Sequence, residues 1–437
     1  MRLARLDAHE VEELGGVAAA AARIRSLVAG GASVAAEVSA ILAAVHAEGD
    51  AAVVRYTRRF DTGGADPGPL IVPGEELDEA LTQIPLELVA ALQVAIANVA
   101  LVADAGVGVD VDVAVELAQG QRVLLREVPV TSAAVYVPGG RAPYPSTVVM
   151  GVVTARSAGV VDVAVCAPPG PDGQIDPTIL GTCRLCGVER VYRMGGAHAV
   201  AALAYGTESV EPVDVLVGPG NLYVQEAKHQ VSTSIGIDGF AGPSDLLVLL
   251  GAHAGERDVR LAALDMLAQA EHGEGSLVAA ASHSSVVCDA LADALETLVL
   301  ERPTVGDAEF AIAETAGARQ SVALANAFAP EHLELIGEDV EALASTVRSA
   351  GCVFVGIESA TAFGDYVAGS NHVLPTAGAA RFASALSPRH FRRRMTEVHI
   401  GEGAARLAAA GAPIARAEGF EVHAESMEAR VRENPQS

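Results

Sequence analysis

Residues 133–140 read AAVYVPGG, a short apolar run that ends in a proline–glycine turn. The stretch VDVAVCAPPG at 161–170 repeats this pattern after a helix-like segment. Two more runs follow, GVERVYRMGG (187–196) and VDVLVGPG (213–220), each of which leads into another helix-like segment. Short apolar strands that alternate with helices are typical of a parallel sheet covered by helices. The sequence therefore predicts an α/β fold built on a doubly wound parallel sheet.

A second series of strand-like runs begins at residue 245. It comprises DLLVLL (245–250), SLVAAAS (276–282), SVALA (321–325) and CVFVG (352–356), with helix-like segments between them. Two such series predict two Rossmann-like domains. The glycine turns of the first series could approach a nucleotide phosphate, or they could be ordinary strand–helix turns. Because the chain contains no complete G-x-G-x-x-G motif, we expect an incomplete form of the dinucleotide fold.

The segments outside the two series are expected to be mainly helical. Residues 1–24 are typical of a short helical arm, residues 33–60 of a longer amphipathic helix, and residues 75–104 of further helix. Strand-like alternation occurs near residues 122–128. The basic run RHFRRRM (389–395) lacks the repeated interleaving of aromatic residues that would suggest nucleic-acid binding, so we expect a solvated or packed helix face there.

The charge balance excludes a nucleic-acid-binding protein. The 437 residues include 55 acidic and 29 basic side chains, a net charge of −26, whereas a nucleic-acid binder needs a basic face. No uncharged apolar run approaches the roughly 18 residues that span a bilayer, and the acidic N-terminus does not resemble a signal peptide. We therefore expect a cytoplasmic protein that binds neither nucleic acid nor membranes.

The numbers of lysine and cysteine residues further limit the chemistry that the chain can perform. Lys228 is the only lysine, so the chain has no Gly-Lys-Ser/Thr phosphate loop. Five cysteines are an odd number for a disulfide framework, and the C-x-x-C of Cys183 and Cys186 has no second pair to complete a zinc site. We expect these two cysteines to be buried structural residues.

Polar motifs in the second half of the chain could carry chemistry. Gln269 and His272 are spaced three apart at the end of a helix-like segment and could offer an amide oxygen and an imidazole to one metal ion. An isolated pair of this kind is more often an ordinary polar helix end. Glu331 and His332 set a carboxylate beside an imidazole at an expected helix start, where an acid and a base can serve one substrate.

Other polar residues are individually unremarkable but useful as a set. Asp365 and His372 flank a glycine turn, and Glu418 and His423 lie near the end of the chain. Each could be a turn residue, a helix cap or an exposed tail residue. Together with Gln269, two histidines and one aspartate could provide a mixed nitrogen and oxygen site for zinc, which leaves a separate Glu-His pair.

The sequence resembles the histidinol dehydrogenase family from about Ile41 to Arg432. The resemblance rests on motifs in nearly the same order and spacing: GPGNLYVQEAKHQV, AGPSDLLVL, AQAEHGEGS, APEHLEL, GDYVAGSNHVLPT and EGFEVHAESMEARVREN. It implies a cytoplasmic, zinc-containing homodimer. It also implies oxidation of L-histidinol to L-histidine through L-histidinaldehyde with two NAD+, the last step of histidine biosynthesis.

The resemblance also implies roles for individual residues. Glu331 and His332 would be catalytic: His332 would remove the hydroxyl proton and assist both oxidations, and Glu331 would activate water for the second. Zinc would be bound by Gln269, His272, Asp365 and His423, and the tail histidine would reach the site of the other subunit. The substrate would be surrounded by Ser244, Gln269, His272, His332, Asp365, His372, Glu418 and His423. NAD would be contacted by Tyr136, His198 and Asn221.

The same resemblance divides the chain into parts. Residues 25–135 and 244–386 would form the zinc-binding catalytic domain, and residues 136–243 the NAD-binding domain. Residues 1–24 would be the N-terminal arm, and residues 387–437 a helical tail that contributes to the partner's site.

Two departures from the family pattern accompany the resemblance. The family usually has glutamine where this chain has His198, so we expect weaker or more pH-dependent cofactor binding. Residues 359–363 fit the family pattern poorly.

Three alternatives to histidinol oxidation remain. One is a sister zinc and NAD dehydrogenase for another polar alcohol, although such a substrate would not need His372 and Glu418 in their positions. Another is a zinc hydrolase that uses Glu331 to activate water. The last is a non-catalytic NAD- or metal-binding protein, which the intact Glu-His pair disfavours.

Overall fold

The structure is a computed structural model that describes residues 2–28, 33–107, 112–139, 142–239, 242–273 and 275–431. The strands are β1 (Arg2–Leu6), β2 (Val113–Glu116), β3 (Arg122–Pro129), β4 (Ser132–Tyr136), β5 (Asp162–Ala167), β6 (Arg190–Arg193), β7 (Val215–Val217), β8 (Gly236–Ile237), β9 (Asp245–Leu250), β10 (Leu277–Ser282), β11 (Glu309–Glu314), β12 (His332–Ile336), β13 (Cys352–Val355) and β14 (Arg392–His399). The helices are α1 (Ala8–Glu13), α2 (Val17–Arg25), α3 (Ala35–Glu48), α4 (Asp50–Phe60), α5 (Gly74–Gln83), α6 (Leu86–Val107), α7 (Pro145–Ser157), α8 (Pro177–Leu185), α9 (Gly196–Tyr205), α10 (Leu222–Val231), α11 (Glu256–Ala270), α12 (Ser285–Val299), α13 (Ala318–Phe328), α14 (Glu338–Glu341), α15 (Thr361–Tyr366), α16 (Ala404–Ala417) and α17 (Glu421–Glu428).

Two parallel sheets confirm the predicted α/β class. A five-stranded sheet has the order β6-β5-β4-β7-β8, and a six-stranded sheet has the order β1-β11-β10-β9-β12-β13. Apolar cores cover both faces of each sheet, as the near-continuous runs of Val, Leu and Ala require. The chain is therefore built from two doubly wound units.

Helices from the N-terminal third pack on the five-stranded sheet. Helices α3 and α4 contact α9 on one side, and α5 and α6 contact α8 and α7 on the other. This packing differs from the expected division, in which residues 25–135 belong with the second sheet. The boundaries of the functional domains stay a prediction.

Three secondary-structure assignments were wrong. Residues 321–325 lie in helix α13, because Val322, Ala325 and Phe328 recur at helical spacing and are buried together. Residues 392–395 of the basic run lie in strand β14, which pairs antiparallel with β3 along its whole length. Glu331 and His332 precede and begin strand β12 rather than a helix.

Other differences concern the ends and breaks of elements. Residues 1–24 are not purely helical, because β1 pairs with β11, a strand that the sequence reading did not identify. The expected helix at 33–60 is split at Gly49, whose φ of 58° favours glycine. Helix α11 ends at Ala270, so His272 lies in the turn after it.

Helix α6 is long and apolar enough to cross a membrane by length and composition alone, contrary to the expectation that no such stretch exists. Leu92, Ala95 and Val99 on one face are buried in the core around the five-stranded sheet. Leu86 and Leu101 are exposed. Within this apolar stretch, 22% is buried, so α6 packs on the core along one face only.

The lysine and the C-x-x-C cysteines are buried. Lys228 donates to the backbone carbonyl of Gly218 at 2.9 Å and pairs with Asp238, so it stabilises the turn after β7. Cys183 and Cys186 are free thiols in an apolar core, and burial raises the pKa of Cys186 to about 12. The predicted burial of both cysteines is confirmed.

We expect Gly151→Ala to destabilise the fold by about 1–3 kcal/mol, because its Cβ would lie 2.5 Å from Val135 Cγ1 where α7 packs on β4. Gly106→Ala, in the exposed end of α6, is the matched control and should stabilise slightly, because no neighbouring atom lies within 4 Å of its Cβ. Urea denaturation of both variants and of the wild type measures the change in the free energy of unfolding. Equal stabilities would contradict the close packing of α7 on β4.

Candidate functional site

The Glu331–His332 pair lies at the amino edge of the six-stranded sheet. Strands β9 and β12 are parallel neighbours that begin at Asp245 and His332, so both first residues lie at this edge. Helix α11 connects β9 to β10 and ends at the same edge, where Gln269 and His272 lie. The fold therefore brings together motifs that are about sixty residues apart in the sequence.

The carboxylate of Glu331 is buried and held by two donors. Its Oε2 accepts hydrogen bonds from Ser244 Oγ at 2.5 Å and from the backbone N–H of Asp245 at 3.0 Å. Gln269 Nε2 donates to Ser244 Oγ at 2.6 Å. Burial raises the pKa of Glu331 to about 7, against the lowering effect of His332. A carboxyl group that titrates near neutrality is suited to accept a proton from water.

His332 lies between two carboxylates. Its Nδ1 is 3.9 Å from Glu331 Oε2, and its Nε2 is 3.4 Å from Asp365 Oδ1. Burial alone would lower the pKa of the imidazole, but the charges of Glu331 and Asp365 raise it to about 9. The two carboxylates therefore stabilise a proton that His332 takes up.

Asp365 is also close to two other imidazoles. Burial lowers the pKa of His272 and of His372, although the charge of Asp365 acts in the opposite direction on both. His372 Nδ1 donates to the backbone carbonyl of Asp365 at 3.1 Å. Its buried Nε2 has no hydrogen-bond partner among the described residues, so it can accept from a ligand. Neutral imidazoles are the form that coordinates a metal ion.

The donor atoms of Gln269, His272 and Asp365 suit zinc, which accepts nitrogen and oxygen ligands. Because Gln269 donates from Nε2, its amide oxygen is the atom left to face a cation. Burial opposes ionisation of Asp365, but the histidines around it lower its pKa. Within the described part of one chain, no group of three or more His, Cys, Asp and Glu residues is placed to hold a metal. The chemistry of Gln269, His272 and Asp365 suits zinc, but the described residues of one chain do not by themselves form a metal site.

The loop after α15 is anchored in the other unit. Asn371 Nδ2 donates to two oxygen atoms of α7, both at 3.1 Å. Asn98 of α6 donates to the backbone carbonyl of Val367 at 2.7 Å. Asp365 and His372 flank this loop, so they lie where the two units meet.

A cavity of about 1460 Å³ opens at the carboxyl edge of the five-stranded sheet. Tyr136 at the end of β4 and Asn221 at the start of α10 line it. The Tyr136 hydroxyl accepts from the backbone N–H of Gly196 at 3.0 Å. Residues 140 and 141 of the first glycine turn lie outside the described residues. Pockets for drug-sized ligands measure roughly 300–1,000 Å³, so a dinucleotide has room here.

His198 is buried behind the wall of this cavity. Its Nε2 is 3.1 Å from Thr57 Oγ1 and 3.8 Å from Asp61 Oδ2. Burial lowers the pKa of His198 to about 3, so the imidazole is neutral at physiological pH. A neutral His198 adds no charge to the cavity near neutral pH. Its contact with NAD and its effect on cofactor binding stay predictions.

Asp61 lines the same cavity and was not singled out from the sequence. Its Oδ2 is buried and has no hydrogen-bond partner among the described residues. Burial raises the pKa of Asp61 to about 7. Asp61 therefore loses its proton near neutral pH, and the cavity becomes more negative as the pH rises.

The structure does not bring Glu418 and His423 to the buried site of the same chain. Helices α16 and α17 pack on each other, and the ring of His423 contacts Phe420. Both Glu418 and His423 are exposed. Their predicted roles therefore depend on a second copy of the chain.

Two further acids at the site were missed in the sequence. Asp245 accepts a hydrogen bond from the backbone N–H of Glu331 at 2.8 Å. Glu334 is fully buried two residues after His332, and burial beside Asp265 raises its pKa well above the usual range. Asp245 directly precedes the apolar run of β9, and Glu334 lies between Leu333 and Leu335 in β12. An acid beside or within a buried apolar run is the signal that could have identified each.

The comparisons with known proteins agree on one family. A model described as histidinol dehydrogenase matches residues 28–431. The histidinol dehydrogenase of Gluconobacter oxydans is 41% identical over 409 residues, which cover 92% of this chain and 94% of that protein. The enzyme of Pseudomonas aeruginosa is 41% identical over 411 residues, with 90% and 89% covered. The crystal structure of histidinol dehydrogenase from Elizabethkingia anophelis has a TM-score of 0.89 and 29% identity, and 98% of each chain is covered.

We expect NAD+ to bind roughly three- to tenfold more weakly as the pH rises through about 7, because ionised Asp61 adds an unpaired negative charge to the cavity. Titration calorimetry at pH 6 and pH 8 measures the two dissociation constants. Asp61→Asn should remove the pH dependence, and His198→Gln should keep it. A dependence that survives in the Asp61 variant would exclude this residue as its source.

Proposed function

We propose a zinc- and NAD-dependent reaction for this chain, which belongs to the histidinol dehydrogenase family. It is an oxidoreductase that oxidises histidinol in histidine biosynthesis. In the proposed reaction L-histidinol becomes L-histidinaldehyde and then L-histidine, the last step of the pathway, and each oxidation transfers one hydride to NAD+. The observation that carries the proposal is the buried Glu331–His332 pair beside Asp365.

The proposed zinc ligands are Gln269, His272 and Asp365 of one chain with His423 of a second copy. Zinc, when bound, supplies a Lewis acid that fixes the imidazole and amino nitrogens of the substrate. NAD+, when bound, supplies the hydride acceptor. We place it in the cavity lined by Tyr136 and Asn221, in the unit of residues 136–243.

His332 is the proposed base of the first oxidation. Its Nε2 points towards Asp365, and hence towards the side where the substrate hydroxyl would be held. The imidazole takes the hydroxyl proton while the adjacent carbon loses a hydride, which gives the aldehyde. Glu331 and Asp365 stabilise the imidazolium that forms, and they raise the pKa of His332 to about 9. Because only the neutral imidazole can take the hydroxyl proton, this step is favoured at alkaline pH.

Glu331 is the proposed base of the second oxidation. Ser244 and the backbone of Asp245 fix its carboxylate, and a pKa of about 7 lets it accept a proton from water at neutral pH. The hydroxide equivalent adds to the aldehyde, and the proton that His332 took up in the first oxidation is transferred to the new oxyanion to give a gem-diol. This transfer returns His332 to its neutral form. His332 then removes a proton from the diol as the second hydride leaves.

The other proposed substrate contacts come from both copies of the chain. The unpartnered Nε2 of His372 is a ready acceptor inside the buried site. Ser244 already links Gln269 to Glu331 and can bind the substrate with the same hydroxyl. Glu418, like His423, would enter from the tail of the second copy.

A homodimer with exchanged tails would explain the exposed C-terminal helices. Ile414 on α16, Phe420 just before α17 and Val422 on α17 are large apolar residues that are more than half exposed, at 61%, 52% and 73%. Burying them against a second copy would stabilise the pair. We propose that this dimer is cytoplasmic.

Replacement of the two catalytic side chains should separate the oxidations. We expect His332→Asn to lower both oxidations by about 10²- to 10⁴-fold, because it removes the shared base. Glu331→Gln should lower mainly the aldehyde step, because only that step needs activated water. NADH formation at 340 nm, with L-histidinol or L-histidinaldehyde as substrate, measures each. Equal losses in the Glu331 variant would contradict the division of roles.

Mixing two inactive variants should restore activity if the site is shared. His272→Ala and His423→Ala each remove one proposed ligand, but a hybrid dimer keeps one complete set. After denaturation and refolding together, about a quarter of wild-type activity is expected, since half of the dimers are hybrid with one intact site each. Refolding each variant alone is the control. A mixture as inactive as its components would show that the tail does not cross between subunits.

A further inference from the structure

Arg25, which directly follows the N-terminal arm of residues 1–24, reaches the loop in front of the Glu331–His332 pair. It is the last residue of α2. Its Nε donates to the backbone carbonyl of Phe328 at 2.8 Å, and its Nη2 donates to the same carbonyl at 2.5 Å and to that of Ala329 at 3.0 Å. The guanidinium carbon also lies 3.9 Å from the centroid of the Phe328 ring. Arg25 thus satisfies carbonyls that the end of α13 leaves unpaired.

The same guanidinium binds Asp245, which contacts the catalytic carboxylate directly. Nη1 of Arg25 lies 3.1 Å from Asp245 Oδ2, and the aspartate side chain is 1% exposed. Asp245 and Glu331 exchange two hydrogen bonds: the Glu331 N–H donates to Oδ1 at 2.8 Å, and the Asp245 N–H donates to Glu331 Oε2 at 3.0 Å. Arg25 and Glu331 are therefore joined through one buried residue.

The segment between α13 and β12 needs support from outside. Ala329 has a left-handed backbone, with φ of 51° and ψ of 65°, which is unfavourable for a residue with a Cβ. Pro330 has no N–H to donate. Contacts from Arg25 to the two carbonyls before Pro330 therefore help to fix the backbone that leads into Glu331.

We propose that Arg25 is a positioning residue for the aldehyde step, because it holds the Glu331 carboxylate in place through Asp245 and the carbonyls of residues 328 and 329. The inference rests on the proposed role of Glu331. His332 is held independently by the pairing of β12 with β9 and β13. Loss of Arg25 should therefore affect the second oxidation more than the first.

The test measures both half-reactions in three variants. Arg25→Gln should lower kcat for L-histidinaldehyde by about ten- to a hundredfold, as a displaced catalytic group does, with little change in KM or in histidinol oxidation. Arg25→Lys should recover part of the loss, because an ammonium can pair with Asp245 but cannot also serve both carbonyls. Arg23→Gln is the matched control, because Arg23 lies on the same helix, is exposed and donates to Ser26 at the surface.

A double variant separates positioning from general stability. In the Glu331→Gln background, Arg25→Gln should cause no further loss of the aldehyde step, because the group that it positions is absent. Thermal unfolding of every variant shows whether it is folded. If Arg25→Gln does not fold, the ratio of aldehyde oxidation to histidinol oxidation in Arg25→Lys is the result that tests the positioning role.

Three results would overturn the inference: equal loss of both half-reactions, a loss that persists in the Glu331→Gln background, or an unchanged ratio in a folded Arg25 variant. Failure of the proposed function would look different. In that case the wild-type protein itself would not oxidise L-histidinaldehyde with NAD+, or Glu331→Gln would leave the aldehyde step intact.

Discussion

The structure depends on burying a carboxylate next to an imidazole without leaving either charge uncompensated. Removing charged groups from water is costly unless partners replace the solvent. Glu331 receives hydrogen bonds from Ser244 and the Asp245 backbone, and His332 lies between Glu331 and Asp365. Parallel pairing of β9 with β12 brings Ser244 and Asp245 next to Glu331, and α15 contributes Asp365 beside His332. The same burial brings the pKa of Glu331 close to neutrality.

The large cavity and the Glu331–His332 pair lie at opposite edges of their respective sheets. The large cavity opens at the carboxyl edge of the five-stranded sheet, where ligands of doubly wound folds usually bind. The Glu331–His332 pair lies at the amino edge of the six-stranded sheet. Asn371 and Asn98 fasten the loop after α15 to the first unit, so these hydrogen bonds join the two units close to Asp365 and His372.

Local sequence predicted most elements where one segment contains its own signal. The glycine-bounded apolar runs became β4 to β7, β9 and β10, because such strands are buried on both faces. The prediction of a strand at residues 321–325 was wrong because a short apolar run fits a buried helix equally well. The prediction of a helix at residues 392–395 was wrong because this basic strand is stabilised by pairing with β3, which lies over two hundred residues away in the sequence.

By itself, the sequence determined the α/β class, the two series of strands and the motifs that identify the family, because these are properties of adjacent residues. Only the tertiary structure decided which side chains meet. It joined Ser244 and Gln269 to Glu331, kept His198 neutral by burial, and left His423 exposed in its own chain. Distances between remote residues and the solvent around them arise from packing, and no local pattern encodes them.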